Sequence, residues 1–548
     1  MKRIKKLAAG IAGILLVSAF VSCAGRSNPS DTIESNTESE QGGENVTGSY
    51  ITPISFDHIK PAEDINKFIA EVDYANGEHD NSQKEIGTVV SPYFTMKAGG
   101  VPVDCFAVRT TFGAHSYALI DIADEAFPLE ITVQVETDFH RATILPEHYG
   151  VTPTVDGKTV TATIDKCGNY TLVLNKDKTK ALTIFVRSDK EYVAPEGYEV
   201  IKLAPGVHNE KITFTKEKQV LYFEAGEHEL MYNINFLSNT EVYVERGAYI
   251  YATIPEDLGV EPPTADPNWA GNRCWDALFQ GDCVENVRIS GHGMVDMSRL
   301  SWHARELIQF NESKNITVDG LASNNCPDWA VYFSRCEEIT VNEMMLFAYR
   351  QNSDAICIED SRNALVKNCF ARSGDDHFEI KSRYGNCTIS IENIVFDNCN
   401  GWPDKARGIG IINEAKRDMN NITFKNCSIG FASATWMEDL GALVVFSEYD
   451  GKLSNITFEN IEVFKADKYA VLVTVGEQAK AQFDNIVFRN VVFKDSSKVR
   501  INNRSTVGGA IHNVIFENCY RRNTKIEKIN QLIPSISGEN ESVVTIVN

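Results

Sequence analysis

The chain has 548 residues, with 53 Lys and Arg against 75 Asp and Glu and a formal net charge of -22. That balance excludes a nucleic-acid or anionic-membrane partner held by charge. The length exceeds what one hydrophobic core supports, so two folded units behind a leader are expected.

The opening, with Lys2, Arg3, Lys5 and Lys6 before an apolar run and then small residues, has the order of a secretory leader rather than a membrane span. Phe20-Val21-Ser22-Cys23 resembles the cleavage box of bacterial lipoproteins, which assigns residues 1–22 to a signal peptide and makes Cys23 the site of lipid attachment. An exported lipoprotein on the outer membrane, facing the periplasm or the cell surface, follows, with the lipid as its one membrane contact. Residues 23–50 are rich in Ser, Glu, Asn and Gly with little to bury and read as a flexible linker. The chain carries 13 cysteines, and several follow Asn at strand ends (Cys369, Cys399, Cys427, Cys519). In a chain of this length they are expected as buried thiols rather than bridges or metal ligands.

From 51 to 195 short β runs recur with turn residues such as Asp156-Gly157 between them, which predicts a β-sandwich. It holds no catalytic cluster and is expected to brace the next domain by covering one of its ends. Residues 196–535 repeat a cassette that is usually Asn (Glu at 338), an alternating apolar strand and then a second Asn. It begins at 286, 315, 338, 363, 393, 421, 455, 485 and 513, so the intervals run from 23 to 34 residues. Repeats of that length with strand but not helix periodicity predict an all-β fold, a right-handed parallel β-helix. The second Asn of each cassette, such as Asn368 or Asn460, fits a left-handed turn position stacked from coil to coil. Residues 536–548 read as a C-terminal tail.

Two acidic motifs fall on consecutive coils, Asn352-Ser353-Asp354 and Gly374-Asp375-Asp376. Stacked strands lie roughly 4.8 Å apart, so residues one coil apart become neighbours. Three carboxylates sharing one patch raise the pKa of at least one of them, as a general acid working near neutral pH requires. Glycosidic cleavage needs one carboxylic acid to protonate the leaving oxygen and one carboxylate to activate water or attack the sugar. Alternation in His377-Phe378-Glu379-Ile380-Lys381 predicts Phe378 and Ile380 inward and the other three outward. In a regular strand Asp375 and Asp376 would then face opposite sides, and Gly374 is where the bend that unites them is expected.

The stretch from Asn352 to Ser382 resembles the core of family 28 glycoside hydrolases, the polygalacturonase group, in both acidic motifs and the distance between them. Arg305 to Leu321, the following Pro327-Asp328-Trp329, and Ile289 to Asp296 resemble that family's earlier coils. The resemblance covers roughly residues 200–520. It implies that Asp375 is the general acid and that Asp354 with Asp376 activates the water that inverts the anomeric centre. The family's later Gly-His-Gly is replaced by Gly408-Ile409-Gly410, and the region of its Arg-Ile-Lys reads GALVVFSEYDG. Polygalacturonate is therefore not the expected substrate. The order of sandwich, β-helix and acidic triad also resembles family 49 dextranases, which implies that a neutral glycan is possible.

Arg407, His377 and Lys381 are candidate replacement contacts, and Trp329 and Trp402 are candidate stacking surfaces for sugar rings. The partner is a polysaccharide or oligosaccharide, no cofactor or metal is expected, and a monomer is expected. Two other readings stay open: a β-helix lyase in which the carboxylates hold calcium, and a glycan-binding lipoprotein without activity.

Overall fold

The computed structural model describes residues 50–70, 87–255, 277–495, 498–532, 534–536 and 538–548. The leader, Cys23 and nearly all of the linker lie outside the described residues. Residues 47–548 cluster as one compact unit.

Between Ile51 and Ser188 the strands form a seven-stranded and a five-stranded sheet. Their facing sides pack Ile120, Ile131, Val133, Leu172 and Ile184 into a shared core, the arrangement of a sandwich. From Glu199 onward the pairing is parallel, save for a short antiparallel hairpin at Tyr520–Lys525, and successive coils add strands to three sheets in turn. Pairing in register down each stack, such as Ile316 beside Ile339 and Ala364, makes this a parallel β-helix. Its interior is a continuous apolar column, with Phe424, Phe458, Phe488 and Phe516 stacked ring on ring at 4.9 Å between centroids.

Each cassette asparagine occupies the left-handed region; Asn393 has φ 56°, Asn426 φ 54° and Asn460 φ 54°. Asparagine tolerates that geometry and its amide supplies a bond up the stack. Two ladders result. One runs through the first asparagines, as from Asn421 Nδ2 to Asn393 Oδ1 at 2.7 Å, and one through the second, as from Asn398 Nδ2 to Asn368 Oδ1 at 2.9 Å. The eleven described cysteines are all thiols. Those after the second asparagines point inward and donate to main-chain carbonyls, as Cys427 does to Lys425 at 3.1 Å.

Two expectations need correction. Residues 536–548 are not a free tail, because Val544–Val547 pairs with Val514–Glu517 and adds a further strand to the first parallel sheet. Nor does the sandwich cover an end of the solenoid. It lies along the flank, on the outer face of the second parallel sheet. Phe106, Tyr117, Leu119 and Phe185 of the sandwich pack there against Tyr249, Met294, Phe347, Phe370, Trp402 and Phe464 of successive coils. The sandwich strand Gly113–Ile122 accordingly has both faces buried, with Ala118 and Ile120 turned to one core and Tyr117 and Leu119 to the other. Polar contacts fix the register of this seam. Arg372 on the solenoid bonds Asp404 at 2.9 Å, His115 at 3.0 Å and the carbonyl of Lys178 at 2.9 Å. His292, from the early Gly-His-Gly, pairs with Asp121 at 2.7 Å.

Candidate active site

All three aspartates sit on the connections that lead from the second parallel sheet to the third. Asp354 precedes strand Ile356–Glu359, and Asp375 and Asp376 precede strand Phe378–Ser382. The register places Ile356 beside Phe378, and the amide of Ala355 donates to the carbonyl of Asp376 at 3.0 Å. Asp354 and Asp376, 22 residues apart, are thus the pair stacked one above the other. Gly374 makes the bend possible through its missing side chain, not through an unusual φ. A Cβ there would overlap the main chain of Tyr349 and Arg350 one coil earlier. That main chain is steadied by the sandwich, whose Thr111 hydroxyl donates to the carbonyl of Tyr349 at 3.5 Å.

Lys381 occupies the centre of the patch. Its Nζ lies 2.9 Å from Glu379 Oε2, 3.1 Å from Asp354 Oδ2 and 3.7 Å from Asp376 Oδ2, with the side chain 5 % exposed. Arg407 closes the other side of Asp376 through its main-chain amide at 3.1 Å and its guanidinium at 3.3 Å, and its Nε holds the carbonyl of Asp439 at 2.8 Å. One ammonium faces three buried carboxylates, so they do not all ionise together. Burial pushes Asp354 well above the usual carboxylate range against the pull of Lys381, and pushes Glu379 up to about 7. Burial of Lys381 works against its charge, but Glu379 and Asp354 more than offset this and hold it protonated.

Asp375 differs from its neighbours. It keeps part of its surface open to solvent and makes no contact with the ammonium; its oxygens accept from the amides of Asn352 at 3.1 Å and Asp376 at 2.9 Å. Burial and then the charge of Asp376 raise its pKa to about 6. The patch therefore holds an accessible carboxyl that keeps a proton in mildly acidic water, next to carboxylates gathered around a cation. Those are the two states that acid and base catalysis on one bond requires. Oxygens of Asp354, Asp376 and Glu379 lie within 4.8 Å of one another, close enough to share a metal ion, but the Lys381 ammonium already serves as the cation of that cluster.

The candidate substrate contacts divide. Lys381 and Arg407 are at the site, each engaged with carboxylates. Trp329 borders it, with Lys381 Nζ 4.7 Å and the Arg383 guanidinium 4.7 Å from its ring centroid. His377 and Trp402 are corrections. His377 belongs to the bend before the strand, where alternation does not hold, and turns into the solenoid. It is fully buried, it bonds Ser373 Oγ at 2.7 Å, and a Cβ on Gly401 would overlap its ring. Burial lowers it to about 3, so it stays neutral. Trp402 does point out of its strand, but into the sandwich, 4.9 Å from the His115 ring and 4.8 Å from Phe431.

Glu379 is the residue that sequence reasoning missed as part of the site. Its predicted outward direction beside Lys381 was the available signal. Where the family would place its histidine, Ile409 packs in the solenoid core. Where its basic pair would stand, Val444 and Phe446 join Ile412, Tyr469 and Leu472 in a buried outer cluster beneath Arg407, whose guanidinium lies 5.3 Å from the Phe446 ring.

Comparison with known proteins places this geometry. Residues 267–496 match the model of glycosyl hydrolases family 28. The matched span contains the whole patch. Polygalacturonase-2 of Solanum lycopersicum is 20% identical over 46% of this chain and 58% of its own length. Exopolygalacturonase B of Aspergillus niger is 22% identical over 39% and 55%. The chain thus spans little more than half the length of these two relatives. Among solved structures, Dex49A from Penicillium minioluteum superposes with a TM-score of 0.60 at 11% identity, covering 91% of this chain and 99% of that one. That likeness is one of fold, and it extends over the sandwich as well as the solenoid.

Proposed function

We propose that this chain is a glycoside hydrolase that cleaves a polysaccharide by acid and base catalysis at Asp354, Asp375 and Asp376. The observation that carries the reading is the division of labour in the patch. Asp375 is solvent-facing with its pKa raised to about 6, while Asp354 and Asp376 face a shared ammonium. Asp375 donates its proton to the leaving oxygen. Asp376, paired with the Lys381 ammonium and the Arg407 guanidinium, draws a proton from water that Asp354 helps to hold, and that water attacks from the opposite face of the sugar and inverts the anomeric centre. Lys381 and Glu379 position the two carboxylates, and Arg407 holds Asp376 against the bend. The family-28 match supports the reaction class, and the replaced histidine and basic pair support a substrate other than polygalacturonate.

The test is Asp375→Asn in the full chain. It should remove reducing-end release from every polysaccharide that the parent protein cleaves, with an unchanged far-ultraviolet spectrum. Cleavage at the parental rate would refute the assignment. The leader and Cys23 support a lipid-anchored protein at the outer membrane, facing the periplasm or the cell surface, where a polymer too large to enter the cell can be reached.

A further inference from the structure

The third parallel sheet forms the floor of the catalytic patch, since strand Phe378–Ser382 carries Glu379 and Lys381. The strand on the next coil, Ile409–Ala415, departs from it in register. Ile380 lies beside Ile411, and Ser382 beside Ala415. Between those two pairs the first strand has one residue, Lys381, and the second has three, Ile412, Asn413 and Glu414. Added residues of this kind break the alternation of a strand and re-aim a side chain, and they recur beside active sites.

The bulge is held in place. Ile411 and Ala415 on either side of it are anchored in the solenoid core, and Ile412 joins the outer cluster with Val444 and Phe446. Asn413 takes the left-handed turn at φ 58°, and its carbonyl accepts from the amide of Glu448 at 3.2 Å. The carbonyl of Ala415 accepts from the amide of Gly451 at 2.9 Å. Both bonds tie the added residues to the following coil, and so fix the position of Glu414.

Glu414 differs from the other carboxylates of the patch. It is only half-buried, and among the described residues none donates a hydrogen bond to its carboxylate or closes an ion pair with it. Its charge nevertheless reaches both cations of the site. Burial works against the charge of Lys381, and Glu379, Asp354 and then Glu414 offset it. Burial works likewise against Arg407, and Asp376, Asp375 and then Glu414 offset it. Lys381 and Arg407 hold Asp376 between them, so a group that acts on both lies near the same carboxylate. Lys416, two residues on, is turned to the Tyr449 ring, 5.0 Å from its centroid. An uncommitted acceptor therefore faces the cleft one coil beyond the catalytic bend.

We propose that Glu414 selects the substrate: its carboxylate accepts hydrogen bonds from adjacent hydroxyls of a neutral pyranose bound at the patch and repels a uronate there. The inference deepens the hydrolase reading of that patch and rests on it. Neighbouring hydroxyls of a pyranose match the two oxygens of a carboxylate, and a hydrogen bond to a charged acceptor is stronger than one between neutral groups. A uronate carboxylate in the same place would meet a like charge. The two cations of the patch would not relieve it, because Lys381 is paired with Asp354 and Glu379 and Arg407 with Asp376. Discrimination between two similar ligands commonly uses a repulsive group placed where the wrong one would land.

The experiment measures binding rather than turnover. The full chain carrying Asp375→Asn is titrated calorimetrically with neutral gluco-, galacto- and manno-hexasaccharides and with hexagalacturonate, alone and with Glu414→Ala or Glu414→Gln added. A neutral hexasaccharide should bind more tightly than hexagalacturonate, and Glu414→Ala should weaken it about tenfold or more. Glu414→Gln keeps an acceptor and loses the charge. It should retain part of the neutral affinity and bind hexagalacturonate about tenfold more tightly than the Asp375→Asn protein does. Thermal unfolding separates a lost contact from a lost fold, and a side chain that only balanced Lys381 and Arg407 would change stability without changing which sugar is preferred. Neutral affinity unchanged in Glu414→Ala, no gain for hexagalacturonate in Glu414→Gln, or no neutral hexasaccharide preferred while Glu414 is in place overturns the proposal. Glu414-dependent binding of a neutral sugar without cleavage by the parent protein would sink the hydrolase reading and leave the contact standing. Cleavage with Glu414-independent binding would do the reverse.

Discussion

Replacing Lys381 by methionine removes one positive charge and little volume, which makes it the sharpest probe of the patch. The ammonium lies 2.9, 3.1 and 3.7 Å from Glu379, Asp354 and Asp376, inside a site with almost no access to water. Deleting one partner of a buried ion pair leaves the other charge uncompensated and costs about 3 to 5 kcal/mol. Here three carboxylates lose the same cation. The carboxyls of Asp354 and Glu379, already raised by burial, rise further in the folded state once Lys381 no longer pulls them down, so they take up protons that the unfolded chain at neutral pH does not bind, and stability falls as pH rises through that window. Lys381→Met should therefore lose about 3 to 5 kcal/mol in urea unfolding at pH 7.5, and visibly less at pH 5, where the carboxylates can be neutral. The rate should respond in the same sense. A base that binds its proton more tightly moves the rising limb of the pH–rate profile to higher pH. A variant as stable as the parent at pH 7.5, or one whose deficit does not shrink on acidification, would show that the ammonium is not what holds this cluster together.

Two further outcomes follow from the same chemistry. Since Asp375 must carry a proton to act as the acid and its pKa is raised to about 6, kcat/KM should fall about tenfold per pH unit above pH 6. A falling limb that begins above pH 8 would exclude Asp375 as the acid. Metabolic labelling with a radioactive fatty acid should mark the exported protein, and Cys23→Ser should abolish the label; label retained in the variant would remove Cys23 as the anchor.

The fold was legible because a solenoid writes its period into the sequence. Asn at the left-handed corners and alternating apolar strands between them recur at every coil, and the hydrogen-bonded ladders are the physical cause of that recurrence. The acidic patch was legible for the same reason, since a spacing of one coil means contact. What alternation could not supply was direction outside a strand, and His377 turned inward because it belongs to the bend and not to Phe378–Ser382. Nor could alternation show what covers an outward side chain. Trp402, a candidate sugar-stacking residue, points away from its coil, yet the sandwich, contributed by residues far earlier in the chain, lies over it.

A solenoid is held together coil by coil, so heat or force can ordinarily peel it from an end or open it in the middle. The sandwich alters that behaviour by touching many coils at once, from Tyr249 to Phe464, with the Lys494–Glu147 pair at 2.6 Å as an outlying tie. Coils that share this clamp open together or not at all, and those bearing Asp354, Asp375 and Asp376 lie well inside it. Fraying belongs to the turns outside it, the first coils before Tyr249 and the last beyond residue 498, so thermal motion is spent away from the chemistry. The carboxylates keep their spacing up to the temperature at which the clamp itself gives way.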